Sequence, residues 1–174
     1  MKKITILTLF AAFLFAGTAA NAQEQGDIRA GLGLAAGTKA SADENTGETK
    51  LGLGINVQGE YLITDALSFA PSYTIFFKTE FNGGGEIKPS VLNLDVRYYV
   101  TDSGIYVMAG AAVQKIKFTG GDNSATGLNF GAGIVKPISD SMSFNGQAKF
   151  MTADDTKTFD GAQLVLNAGV VFSF

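Results

Sequence analysis

The stretch from Gly161 to Phe174, GAQLVLNAGVVFSF, constrains the fold more than any other. Ala162, Leu164, Leu166, Ala168, Val170, Phe172 and Phe174 are all apolar, while Gln163, Val165, Asn167, Gly169, Val171 and Ser173 between them are small, polar or β-branched. Successive side chains leave a strand on opposite sides, so apolar residues at every second position give an extended strand one apolar face. The alternation outruns the roughly five or six residues of an ordinary globular strand. It fits a tilted strand crossing a bilayer, which needs about nine to eleven residues in the hydrocarbon.

The start of the chain reads differently. Lys2 and Lys3 precede the uncharged apolar run Ile4 to Ala16, and Ala20-Asn21-Ala22 forms a small-x-small cleavage site. Residues 1–22 are therefore expected to be a cleaved secretory signal, with residues 23–174 as a single domain. The apolar run falls short of the roughly 20 residues a spanning helix needs. The chain has no Cys and no His, and its Asp and Glu outnumber its Lys and Arg by 16 to 13. That balance argues against nucleic acid as a partner, and the missing Cys leaves a fold held by backbone pairing. With 22 Gly, 14 Phe and only 3 Pro, the composition suits a closed, alternating β wall.

A repeat divides that wall. YLITDALSF, YYVTDSGIY and VKPISDSMSF each run strand, turn, strand, and centre on Asp65, Asp102 and Asp140. Asp and Ser hydrogen-bond their own backbone and favour tight turns. Longer polar stretches lie between them, at 39–49, 79–88, 119–125 and 153–160. The alternation of short turn and long loop predicts eight strands, at 27–38, 50–63, 67–78, 89–100, 105–118, 126–138, 142–152 and 161–174. The phase of the fifth is ambiguous. Pro71 interrupts the third, where its missing N–H predicts a bulge or a local break in pairing.

Alternation does not say which face is inside. Three features favour apolar faces turned outward to lipid. The polar faces carry few charges, whereas a watery surface carries roughly 25–35%. Aromatics cluster at strand ends: Tyr61, Phe69, Tyr98, Tyr106, Phe144, Phe172 and Phe174 near the short turns, Phe77, Phe81, Phe118, Phe130, Phe150 and Phe159 near the long loops. Two such girdles match two membrane interfaces. Finally, Asn167, Gly169, Phe172 and Phe174 follow in order the C-terminal signal of bacterial outer-membrane barrels, which they resemble.

On these features the chain resembles the small eight-stranded outer-membrane β-barrels, OmpA-type transmembrane domains and OmpX-like proteins. The resemblance implies an all-β, antiparallel up-and-down transmembrane barrel in the outer membrane. It further implies assembly by the outer-membrane machinery, contact with outer-membrane lipid and lipopolysaccharide, and a monomer. This fold hosts many functions, so the resemblance transfers none of them.

Catalysis finds little support in the residues. Without His or Cys, neither a Ser–His arrangement nor His/Cys metal chemistry is available, and no cofactor is expected. Gly31-x-Gly33 and Gly52-x-Gly54 precede no helix, so they lack the phosphate-cradling geometry; with Gly131 and Gly133 they are expected to make room in a narrow lumen. Asp154 and Asp155 read as a solvated loop tip, and Gly83-Gly84-Gly85 as a loop apex. The sharper candidates are Glu60, Asp95, Arg97 and Lys149, expected in the lumen among Asn56, Gln58, Asn93, Asn145, Gln147, Gln163 and Asn167. An eight-stranded barrel has an interior that side chains just fill, so these charges must be paired across it. The reading is a polar plug in an envelope barrel of mainly structural role. The alternatives are adhesion or ligand binding through the loops, and a narrow porin-like pore.

Overall fold

A computed structural model describes residues 24–42, 49–80, 85–100, 103–152 and 163–174. The expected signal segment, Phe81, Gly83, Gly84, Asp102, Asp154, Asp155 and Phe159 lie outside them. Eight antiparallel strands form one closed barrel: β1 (Ile28–Ala42), β2 (Thr49–Leu62), β3 (Leu67–Phe76, resumed at Thr79–Glu80), β4 (Glu86–Tyr99), β5 (Ile105–Phe118), β6 (Gly121–Ser139), β7 (Met142–Met151) and β8 (Gln163–Ser173). Each strand pairs with the next in sequence. β8 returns to β1 along Arg29↔Ser173 through Gly37↔Val165, which removes the free edges. The tight turns and both ends of the barrel chain lie at one rim, the turn end; the opposite rim is the loop end.

Alternation sets the faces. On β4, Leu92, Leu94, Val96 and Tyr98 point outward, while Asn93, Asp95, Arg97 and Tyr99 are buried inside. The last strand behaves likewise: Leu166 and Phe172 are exposed, and Gln163, Val165, Asn167 and Val171 face the lumen. A fold whose large apolar residues are its most exposed side chains is inverted relative to a water-soluble barrel. It makes sense with lipid as the outer solvent.

Three details depart from the sequence reading, and at Pro71 one of the two expected outcomes is found. The third loop is not a loop. Phe118 and Gly121 are direct partners, so β5 and β6 are joined by Thr119-Gly120 alone, with Gly120 at φ 102°, a conformation glycine adopts freely. The polar composition of residues 121–124 hid a strand exposed on both sides, and Ala125 is the first residue of it to turn into the lumen. Part of the second loop is paired too, through Thr79↔Ile87 and Glu80↔Glu86. Pro71 causes no bulge. The β2–β3 register is the same on both sides of it, and only the pairing opposite Gly59 and Glu60 lapses, while Pro71↔Leu94 continues the ladder to β4. The proline thus turns its missing donor toward one neighbour and costs a local break. Finally, Tyr106 is not a girdle residue. Both faces of β5 are apolar in sequence, but its register with β4, Arg97↔Met108 and Tyr99↔Tyr106, turns Tyr106 and Met108 inward.

Candidate functional site, the lumen

The lumen is layered. Near the turn end, β1, β2 and β4 place Arg29, Glu60 and Arg97 on their inward faces, and all three are buried. Arg97 donates from Nη1 to Glu60 Oε2 at 3.2 Å, and from Nη2 to Gln58 Oε1 at 3.0 Å and Gln147 Oε1 at 3.3 Å. Its guanidinium also lies 4.7 Å from the centre of the Tyr106 ring, within cation–π range. The other Glu60 oxygen accepts from the Ser68 hydroxyl at 2.6 Å and the Tyr99 hydroxyl at 2.7 Å. Arg29 Nη1 lies 3.8 Å from Glu60 and donates to Tyr99 at 3.4 Å, while its Nη2 lies 3.8 Å from Asp27 at the rim. One carboxylate thus meets two guanidinium groups, and Asp27 supplies the balancing charge.

Deeper along the axis, Lys149 from β7 forms an ion pair with Asp95 from β4, and neither side chain is exposed to solvent. These strands stand on opposite walls. The same span is crossed again by Gln147 to Arg97, so β7, β4 and β2 are tied through the interior rather than along the sheet. An amide row continues the network: Asn129 donates to Asn93 at 3.1 Å, Asn93 to Ser72 at 3.4 Å, and Asn56 to Thr74 at 2.8 Å. Tyr106 Oη lies 2.8 Å from Asn145 Oδ1 and 3.3 Å from Gln147 Oε1; its single proton serves one at a time. A Cβ at Gly133, the direct partner of Tyr106, would collide with the hydroxyl end of its ring. Glycine there is what lets the ring lie flat against the wall.

Beyond this level the interior holds no charge among the described residues and turns mainly apolar, with Gln114 and Gln163 buried among aliphatic and aromatic side chains. Ala35, Ala40, Phe76, Val91, Ala112, Met151 and Val165 pack together toward the loop end, and Ile116, Ala125 and Ile87 extend the packing under the β5–β6 hairpin. A small space of about 10 Å³ lined by Asn56, Gln58, Asn145, Gln147, Asn167, Gly33 and Gly169 remains on the polar side. It has room for about one water. Gln147 Nε2 and Asn167 Oδ1, which border it, have no protein partner among the described residues.

The four charges expected in the lumen are thus brought into two ion pairs. Arg29, Tyr99, Tyr106 and Ser68 belong to the same network and were missed. For Arg29 and Tyr99 the signal was present: Ile28, Ala30 and Leu32 set an outward phase that turns Arg29 inward, and of two adjacent tyrosines only Tyr98 can face lipid. The girdle residues Tyr61, Phe69, Phe77, Tyr98, Phe130 and Phe150 are exposed on the outer face, and Phe144 is half-buried there. Phe130 and Phe150 stack across β6 and β7 with centroids 5.8 Å apart. The C-terminal set is divided, with Asn167 and Gly169 inward and Phe172 and Phe174 outward. The Phe174 N–H closes the seam by donating to Ile28 O at 3.0 Å. Among the described residues, no three His, Cys, Asp or Glu side chains gather to hold a metal ion.

A family model described as outer membrane protein beta-barrel domain matches residues 7–174. No curated protein matches the chain. Among solved structures, the N-terminal β-barrel domain of OprF from Pseudomonas aeruginosa is 20% identical, with a TM-score of 0.61 over 87% of this chain and 100% of that one. Ail, the attachment invasion locus protein of Yersinia pestis, is 18% identical, with a TM-score of 0.59 over 86% of this chain and 99% of that one. Neisserial surface protein A is 18% identical, with a TM-score of 0.59 over 85% of this chain and 96% of that one.

Proposed function

Because the chain belongs to the outer membrane protein β-barrel domain family, we propose that it is a non-conducting, non-catalytic barrel whose role in the outer membrane is mainly structural. The observation that carries this reading is Arg97, fully buried and hydrogen-bonded across the lumen to Glu60, Gln58 and Gln147. Moving ions would have to displace charge-assisted hydrogen bonds in a confined space, and then cross the tightly packed layer around Phe76, where an ion loses its hydration and meets no opposite charge. In this reading the turn end faces the periplasm and the loop end faces the outside, as in barrels of this type. The terminal set Asn167, Gly169, Phe172 and Phe174 addresses the chain to the assembly machinery, and the outer face meets lipid and lipopolysaccharide as a monomer.

Planar-bilayer recording of the purified barrel tests the proposal. The expected trace is silent at neutral pH, from protein whose gel mobility changes on heating, as a detergent-resistant barrel requires. Steady unitary conductance from such protein would establish the pore alternative in place of the plug.

A further inference from the structure

We propose that the outward face of the β4–β5–β6 wall at the loop end, carried by Lys88, Lys115 and Lys117, binds the phosphate groups of lipid head groups in the adjoining leaflet. The inference rests on the reading that the barrel spans the outer membrane and adds a site to it.

Placement comes first. Leu92 and Val113 are direct partners, both exposed on the outer face, and they are the last aliphatic pair of that wall toward the loops. Two residues further on Ser90 faces Lys115, and two beyond that Lys88 faces Lys117. At about 3.3 Å per residue and a tilt of roughly 40°, these levels stand about 5 and 10 Å above the last aliphatic pair. The head-group region is about 5–8 Å thick on each side of the hydrocarbon, and a lysine stem extends to either side of its own level. The opposite wall differs. There Leu51 and Leu53 of β2 carry the apolar face to the loop end instead. Its direction is fixed from within, because Ile116, Ala125 and Ile87 pack on the inner side of the same strands.

Charge supplies the second reason. Lys88 and Lys117 are direct cross-strand partners, an arrangement that is unfavourable for like charges. Of the nearby carboxylates, Asp122 of β6 stands directly opposite Lys117 but forms its ion pair with Lys115, and Glu86 lies 3.5 Å from Lys78. Among the described residues no ion pair reaches Lys88 or Lys117. A phosphate group between them would accept from both ammonium groups and relieve their repulsion. Soluble sulfated sugars share the anionic chemistry, but the stripe faces sideways at the height of the lipid surface, which favours a lipid head group.

Native mass spectrometry of the detergent-purified barrel tests this, with diphosphoryl lipid A, a phosphate-free glycolipid of matched acyl chains, inorganic phosphate and a heparin oligosaccharide as probes. Lipid A should be retained in preference to the phosphate-free glycolipid, with retention falling steeply as salt is raised. In the double variant Lys88→Gln/Lys117→Gln, retention should fall roughly thirtyfold; in Lys88→Arg/Lys117→Arg it should persist. Equal retention of the two lipids, or no loss in the Gln variant, would overturn the proposal. Tighter, equally lysine-dependent binding of the heparin oligosaccharide, or displacement of lipid A by equimolar inorganic phosphate, would overturn the lipid assignment in favour of a soluble anion. Gel mobility before and after heating is measured alongside. Retention lost with heat-dependent mobility intact supports the site, whereas wild-type protein without such mobility overturns the underlying membrane-barrel reading.

Discussion

The two halves of the lumen close it by opposite means. The half near the turn end is filled by charges that satisfy one another: Arg97 and Arg29 on Glu60, Lys149 on Asp95. The half near the loop end is filled by Phe76, Val91, Met151, Val165 and alanines, with no charge among them. Opposite charges in a confined space attract strongly but must stay paired, since a lone buried charge is costly. Apolar side chains need no partner, yet depend on close packing. The polar half is therefore specific and vulnerable to the loss of single partners. The apolar half is tolerant of chemistry and vulnerable to loss of volume.

The largest expected effect comes from breaking the polar half. Arg97→Ala leaves Glu60 with only Arg29, at 3.8 Å, to balance it, and removes the ties to Gln58 and Gln147. A loss of up to about 3–5 kcal/mol follows if the site is dry, read as a lower temperature for the gel-mobility transition. Conductance should stay negligible, because the apolar layer remains closed. A stable Arg97→Ala barrel with altered ion selectivity would reverse the assignment of the polar half from plug to filter.

The apolar half gives the next effect. Phe76 is 1% exposed and sits in the middle of its cluster. Phe76→Ala should cost about 3 kcal/mol, at the low end for a buried phenylalanine, because the site lies near a rim that can relax. The same variant sharpens the comparison when added to Arg97→Ala. Only the pair opens both halves, so conductance is expected from the double variant and from neither single one.

The Asp95–Lys149 pair separates pairing from packing. Lys149→Met alone strands the Asp95 carboxylate and should destabilise strongly. Adding Asp95→Leu removes the stranded charge, and buried pairs replaced by apolar residues of similar size often prove neutral or more stable. Recovery of the melting temperature in Asp95→Leu/Lys149→Met is the expected result. If the double variant is as unstable as the single one, the pair contributes something that apolar volume does not replace.

How far these halves were legible in the sequence follows from what alternation encodes. It placed Glu60, Asp95, Arg97 and Lys149 between outward aliphatic neighbours, and thereby on the inner face. Which of them meet depends on the stagger of strands around the barrel, and no local pattern contains that. The apolar layer was invisible for a related reason. Val165, Val91 and Ala112 sit on inward positions that are small or β-branched, and such residues read equally well on either face. Tyr106 was misplaced because β5 is apolar on both sides, so only pairing with β4 could phase it. The shortened third loop was hidden by composition, since the Gly121 to Ser124 strand lies beyond the lipid level and has no reason to alternate.

That protruding hairpin supplies the smallest expected effect, and a control for the others. Lys115 and Asp122 form an ion pair on its outer face, and both are exposed. The Lys115 ammonium, with a smaller contribution from Lys117, holds the Asp122 carboxyl below the ordinary aspartate range. A carboxyl lowered in the folded state adds stability above its unfolded value of about 3.9, and that contribution is lost as pH falls through the folded value. Any contribution from the pair is therefore constant between about pH 7 and about pH 5 and fades only in stronger acid. Exposed pairs are screened by water and salt, so Asp122→Asn should leave the heat-induced mobility transition unchanged at neutral pH. The contrast with Arg97→Ala is the point of the measurement. Both variants remove one partner of an ion pair in the same barrel, and only burial differs. A comparable loss from Asp122→Asn would mean that the β5–β6 hairpin, rather than the filled lumen, limits the stability of the fold.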